Sequence, residues 1–180
     1  MKRVFTIAAS ALLGLIALRA ATLEYLSLDD MALKATAIVR ARVAGSYGAA
    51  GRSIIYTHYK IQVLERWKGP AQPEMDIVFP GGSADGRRQT FPGTPQLANG
   101  GEYLLFLWES PKTGLTHVVG LSQGVFTLGK DEKGEIRAFR GANTETMLDS
   151  AGHAVRQPPV SMSLGDFHVR VARVLEGARQ

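Results

Sequence analysis

The chain contains no cysteine. No disulfide can brace it, no thiolate can hold a metal, and no cysteine can act as a nucleophile. A lipid-modified N-terminal cysteine is excluded for the same reason. Histidine is scarce, with four residues, and tryptophan scarcer, with two. A long apolar run is missing too. The longest stretch, Val4 to Leu18, is short of the roughly 20 residues that cross a bilayer as a helix. Nor is there a large excess of one charge: 21 Lys and Arg stand against 16 Asp and Glu, giving +5.

What the N-terminus does contain is a targeting layout. Lys2 and Arg3 precede the apolar stretch, and Ala20, Ala21 and Thr22 follow it. This is the three-part order of a secretory signal peptide, expected over residues 1–20. Arg19 and a Leu18 at the minus-three position fit cleavage poorly, so an uncleaved anchor is the alternative. Cleavage would remove Lys2, Arg3 and Arg19 and no acid, which lowers 21 against 16 to 18 against 16, or +2. Net charge then makes no case for nucleic acid. A periplasmic or secreted protein with no stable membrane span is expected.

Length and a mean hydropathy of −0.02 suit a single domain with a real core. Ser27-Leu28-Asp29-Asp30 reads as a capped helix start, with acids in the first turn and a Leu26–Met31 staple. Ala37, Val39, Ala41 and Val43 alternate with polar residues as in a half-buried strand. Gly45 to Gly51 reads as a turn. Ile55, Thr57, Tyr59, Ile61 and Val63 give the clearest period of two, within a strand from Ile54 to Trp67. Met75 to Phe79 is a further strand, ended by Pro80-Gly81-Gly82, and a polar loop runs on to Gly101.

Tyr103 to Trp108 is apolar on both faces and reads as a central strand. Shorter strands are expected at Thr116–Val119, Val125–Leu128 and Ile136–Phe139, with a hairpin tip at Lys130–Gly134. Residues 143–162 read as a linker or irregular segment. Ser163 opens a helix over 163–177, with Leu164, Phe167, Val171, Val174 and Leu175 on one face. The expected fold is mainly β: a small closed or partly open antiparallel barrel over 21–142, with a short N-terminal helix and a C-terminal helix packed on it.

The order of segments carries a resemblance. A short helix precedes Ala37-Ile38-Val39-Arg40-Ala41-Arg42-Val43. A long strand ends Val63-Leu64-Glu65-Arg66-Trp67-Lys68-Gly69, another ends Pro80-Gly81-Gly82, and Gly101-Glu102-Tyr103-Leu104-Leu105-Phe106-Leu107 follows. Over Leu26 to Phe139 this resembles netrin-like modules, those of tissue inhibitors of metalloproteinases, and more closely uncharacterised exported bacterial proteins of that pattern. The resemblance implies an OB-type barrel and an exported binding or peptidase-inhibitor-like module. The animal inhibitors hold the protease metal through an N-terminal cysteine, which this chain lacks, so no residue role is transferred.

Chemistry-bearing patterns are few. Gly120-Leu121-Ser122-Gln123-Gly124 matches the G-x-S-x-G nucleophile elbow, and Asp149 with His153 or His168 follows in hydrolase order. That chemistry needs a strand-to-helix turn at Ser122, whereas Val125 onward reads as a strand. A glycine-flanked turn is the plainer reading. In the loop after Pro80, Gly81 and Gly82 free backbone N–H groups, and Arg87 and Arg88 can pair with phosphate or carboxylate. The Gly-Lys-Ser/Thr ending of a P-loop is missing, and Asp85-Gly86 reads as a solvated turn. Gly81, Gly82, Asp85, Arg87 and Arg88 are nonetheless the first expected partner contact, since long loops on small domains carry function.

No two of His58, His117, His153 and His168 have helical metal spacing; His58 and His117 meet only if their strands share a face. Asp85, Asp131 and Glu132 lack the spacing of an EF-hand. Asp29 and Asp30 are accounted for by capping, and Glu65 and Glu102 flank strands. Tyr56, Tyr59, Trp67 and Trp108 fit packing better than ligand stacking. No catalytic residue, metal or cofactor is expected. The expected function is an exported non-catalytic module that binds another exported protein, not nucleic acid; a serine hydrolase using Ser122 and a structural envelope protein are the alternatives.

Overall fold

The computed structural model describes residues 22–142 and 145–179. The expected signal peptide, 1–20, lies outside the described residues. In chain order the elements are β1 (Leu23–Glu24), α1 (Leu28–Lys34), β2 (Ala37–Ala50), β3 (Ile55–Lys68), β4 (Glu74–Pro80), β5 (Gly82–Ala84), β6 (Arg87–Gln89), β7 (Glu102–Glu109), β8 (Thr116–Val118), β9 (Val125–Lys130), β10 (Ile136–Arg140), β11 (Met147–Leu148), β12 (Ala154–Val155), β13 (Val160–Ser163) and α2 (Leu164–Gly177).

Five strands close a ring in the order β7-β2-β3-β4-β8 and back to β7. The expected mainly β barrel is therefore closed. It is not wholly antiparallel: β4 and β8 run parallel, with Ile77 opposite Thr116 and Val78 opposite His117. The number of strands requires this. Directions cannot alternate around a ring of five, so one contact must be parallel. The strands are steeply staggered: the cross-strand path from Ser46 through Tyr59, Ile77, Thr116 and Glu109 returns to β2 near Ala35, an offset of about ten residues.

The alternation in β2 and β3 has the predicted cause. Val39, Ala41, Val43, Tyr59 and Ile61 point inward and are buried together with Ile77, Phe79, Leu105 and Leu107. The expected turn at Gly45–Gly51 is corrected, because β2 continues to Ala50. Its small residues pair one by one with β3, from Gly45 opposite Lys60 to Ala50 opposite Ile55. A bulge at Ala44 shifts the register between Val43 and Gly45. Glycine and alanine there make a thin strand that another segment covers closely.

β7 divides the fold. Tyr103, Leu105 and Leu107 enter the barrel, while Leu104 and Phe106 enter a second core on the other face. That second core holds Leu26, Met31 and Ala32 of the N-terminal region, Phe126 of β9, Ala138 of β10, and Phe167 and Val171 of α2. The Ser27 capping box forms with Asp30, and Ser163 caps α2 by accepting from the Asp166 N–H. Each large side chain buried there contributes about 1.5–3 kcal/mol. Residues 145–162 belong to the segment expected, over 143–162, to be a linker or irregular, and they carry three short strands. Met147 is buried, β11 pairs with β1, and β13 pairs along β10.

One edge of β7 is shared. Leu107 to Glu109 pair with β8, while Tyr103 to Leu105 pair with β9, which leads on to β10 and β13. Phe106 sits at the fork. Its N–H donates to the Gly124 carbonyl (3.0 Å) and its carbonyl accepts from Val119 N–H (2.9 Å). The turn from Val119 to Gly124 thus fills the gap between the diverging strands.

Candidate functional site

The hairpin β5–β6 lies over the end of the barrel, and glycines let it lie close. Gly81 and Gly82 have φ of 100° and 126°, which β-carbon residues avoid. Gly81 N–H donates to Ile55 O (2.7 Å), and Thr57 Oγ1–H donates to Gly81 O (2.8 Å). A Cβ on Gly82 would strike Thr57 Oγ1, and one on Gly48 of β2 would strike the Ser83 carbonyl. Gln89 Oε1 accepts from Ile55 N–H (2.7 Å), which ties down the second leg. The tip, Asp85-Gly86, has φ of 50° and 70°. Positive values at both residues are the signature of a tight two-residue hairpin turn.

This clip presents arginines. Arg87 and Arg88, on β6, share a groove of about 190 Å³ with Arg52 of the β2–β3 turn. Arg88 also borders a neighbouring cavity of about 260 Å³ whose wall includes Thr57, Tyr59 and Phe91. All three arginines are exposed, and among the described residues none of them forms an ion pair. Some cations elsewhere are paired. Arg40 and Arg42 both bind Glu102, Arg170 binds Asp29, and Lys34 binds Glu24. The Arg40 hydrogen bond, then that of Arg42, holds the Glu102 carboxyl below its usual range. The structure thus brings two of the five predicted hairpin residues, Arg87 and Arg88, to one groove and adds Arg52, while Gly81 and Gly82 line the neighbouring cavity with Arg88 and Asp85 stands at the tip. No sequence motif marked Arg52, because its contribution depends on β2 and β3 extending as far as the hairpin.

Ser122 is placed differently. The turn Val119–Gly124 leads from β8 to β9, not into a helix, so the strand-to-helix elbow is not built here. Its glycines have a geometric task. Gly120 turns with φ of 64°, and a Cβ on Gly124 would lie 2.7 Å from the Val119 carbonyl. Leu121 itself is held at φ of 60°, a strained value for a branched side chain. Asp149 accepts from His153 N–H within its own turn, and His168 stacks on Trp67 at 4.8 Å.

His58 and His117 share the outer face of the barrel but are one strand apart. Val78 of β4 lies opposite both. His58 Nδ1 meets Asp76 Oδ1 (2.8 Å), and Tyr47, stacked on His58 at 4.7 Å, donates its hydroxyl to Asp76 Oδ2 (2.9 Å). That hydrogen bond raises the Tyr47 pKa. His117 lies between Tyr56 and the 42 % exposed Trp108, and burial lowers its pKa. Glu65 and Glu102 flank Arg40, the first as its register partner and the second as its salt-bridge partner. Among the described residues no three His, Asp or Glu side chains gather as metal ligands would.

Two polar residues escaped the sequence reading. Gln123, fully buried, donates from Nε2 to Glu24 O (2.8 Å) and accepts at Oε1 from Leu26 N–H (2.8 Å) and Gln157 Nε2 (3.1 Å). Arg140 ends β10 with its guanidinium 4.7 Å over the Phe126 ring. Both lie at the fork, and only the tertiary arrangement reveals them. No family model, curated protein or solved structure matches the chain.

Proposed function

We propose that this protein is an exported, non-catalytic binding module that takes an acidic surface of another exported protein at the hairpin end of its barrel. The observation that carries this reading is the set of Arg52, Arg87 and Arg88 around one groove, none of them ion-paired among the described residues, with Arg87 and Arg88 held by a clip anchored to β2 and β3. Arginines left unpaired on a rigid support favour carboxylate partners through their planar fork. The five-strand ring with one parallel contact supports the OB-type, netrin-like resemblance. The N-terminal basic-apolar-small layout supports export. The turn context of Ser122 weighs against a hydrolase.

The test is titration of a fluorescent hexaglutamate peptide, with hexalysine as control. Saturable binding is expected for hexaglutamate alone, weakening steeply between 50 and 200 mM salt. Replacing Arg52, Arg87 and Arg88 by Ser should weaken it at least tenfold. These side chains are exposed, so stability should move by no more than about 0.5 kcal/mol. Equal binding by the triple variant would remove the hairpin from the reading. Equal binding of hexalysine would remove the acidic partner.

A further inference from the structure

The second core stops short of Trp108. Alternation along β7 puts this residue on the same face as Leu104 and Phe106, which are fully buried, yet Trp108 is 42 % exposed. Its position is fixed. Thr36 bonds on both sides of it, donating from N–H to the Leu107 carbonyl (2.8 Å) and accepting at Oγ1 from Glu109 N–H (3.0 Å). The His117 ring lies 5.8 Å from the indole. A rigid indole left in solvent beside a core is an incomplete contact, and burying it is favourable.

The indole borders a cavity of about 370 Å³, larger than either cavity at the hairpin and within the range of small-molecule pockets. Leu23, Leu26 and Val119 line it with Trp108. Leu26 and Val119 belong to the second core, so this apolar lining is firmly held. The polar groups around it are already matched. Glu24 and Lys34, both exposed, pair with each other (3.1 Å). The Glu24 carbonyl accepts from Gln123 Nε2, and Leu26 N–H donates to Gln123 Oε1. Among the described residues the cavity therefore presents apolar surface and an aromatic ring, and no unpaired charge.

The geometry points to a second binding site, beside the β7 fork, for a small, neutral, flat aromatic molecule. Its ring stacks on Trp108, and its far side rests on Leu23, Leu26 and Val119. A charged ligand would give up hydration and meet only a cation and an anion that already hold each other. An alkyl chain would cover the leucines but has no ring to stack on the indole. The site is separate from the hairpin. Trp108 neighbours Thr36, just before β2 begins, whereas the hairpin packs on Gly48 near the other end of that strand.

Titration with N-phenylnaphthylamine, a neutral probe that brightens on leaving water, tests this. Saturable binding is expected, tighter than that of its sulfonated analogue, anilinonaphthalene sulfonate. The chain has two tryptophans, so NMR resolves two indole N–H signals, and the probe should move the one that Trp108→Phe removes. Trp108→Ala should weaken the probe at least tenfold, and Trp108→Phe, which keeps a ring, should weaken it less. If Trp108→Ala does not fold, the indole signal of the wild type decides. Naphthol should displace the probe better than decanol does. The Arg52, Arg87 and Arg88 triple variant should bind the probe normally, so this inference and the hairpin reading can fail separately. Any of four results would overturn the site: no saturable binding by the wild type, a Trp108 signal that stays still, the sulfonate binding as tightly as the neutral probe, or decanol competing as well as naphthol.

Discussion

Two glycine-rich segments, Gly120–Gly124 and Gly81–Arg88, look alike as sequence and have opposite roles in the fold. Each joins glycine to serine and polar residues, and each resembles a known loop motif. The first is drawn inside. Its backbone completes the hydrogen bonding of Phe106 at the β7 fork, and Gln123 secures the chain at Glu24 and Leu26. The second is pressed outward. Its glycines let the backbone settle on Thr57 and Gly48, and its arginines stay in solvent. Glycine serves close backbone approach in both cases. What differs is where the polar side chains end: satisfied by the protein in the fork, exposed to solvent on the clip.

The sharpest way to break this comparison is Gln123→Leu. The variant leaves Leu26 N–H, Gln157 Nε2 and the Glu24 carbonyl without their partner inside the protein. Orphaned buried groups cost about 1–3 kcal/mol each, so a loss of about 3–5 kcal/mol is expected in urea unfolding. Hydrogen exchange at Leu26 should rise with it. A loss below about 1 kcal/mol would mean that Gln123 is not the pin described here.

Gly48→Ala sharpens the other side. The added methyl overlaps the Ser83 carbonyl, a backbone atom that cannot rotate away, so the hairpin must lift. Overpacking of this kind costs about 1–3 kcal/mol. The effect should stay local: faster exchange over 82–89, weaker hexaglutamate binding, and an intact barrel core. If the core amides exchange faster as well, the clip is as integral to the fold as the fork.

How much of this was legible follows the same division. β3 could be read because one face enters the barrel, so Ile55, Tyr59 and Ile61 alternate with exposed Lys60 and Gln62. β7 could be read as central because it feeds two cores at once. The end of β2 could not. Gly45, Gly48 and Ala49 have a turn's composition, and only the matching length of β3 makes them a strand. The hairpin residues were legible as a loop with arginines, but not its anchorage. Gln123 and Arg140 had no signal at all. Arg140 looks like Arg137 in sequence, and its burial arises from Phe126 and the Gln123 carbonyl, which the fork alone brings together.

The smallest expected effect is the one that pH reveals. His117 stands on β8, beside the fork, against Trp108 and Tyr56, and desolvation lowers its pKa from 6.5. Folding therefore disfavours its charged form. Above pH 6.5 both folded and unfolded states carry it neutral, and this group's contribution to stability is fully present. As pH falls below 6.5, the unfolded state takes up the proton first, so stability declines until the folded-state pKa is passed and then levels. Glu102 and Asp30, whose carboxyls are held low by Arg40 and by Ser27 respectively, add their own losses only as pH falls below 4.5 and 3.8. The interval between 6.5 and 4.5 therefore separates the His117 contribution from those of Glu102 and Asp30. Urea midpoints measured across it should fall in the wild type and in the Arg52, Arg87 and Arg88 triple variant alike, and the fall should be shallower in His117→Gln. An unchanged slope in His117→Gln would place the pH sensitivity elsewhere and leave the fork without a titrating neighbour.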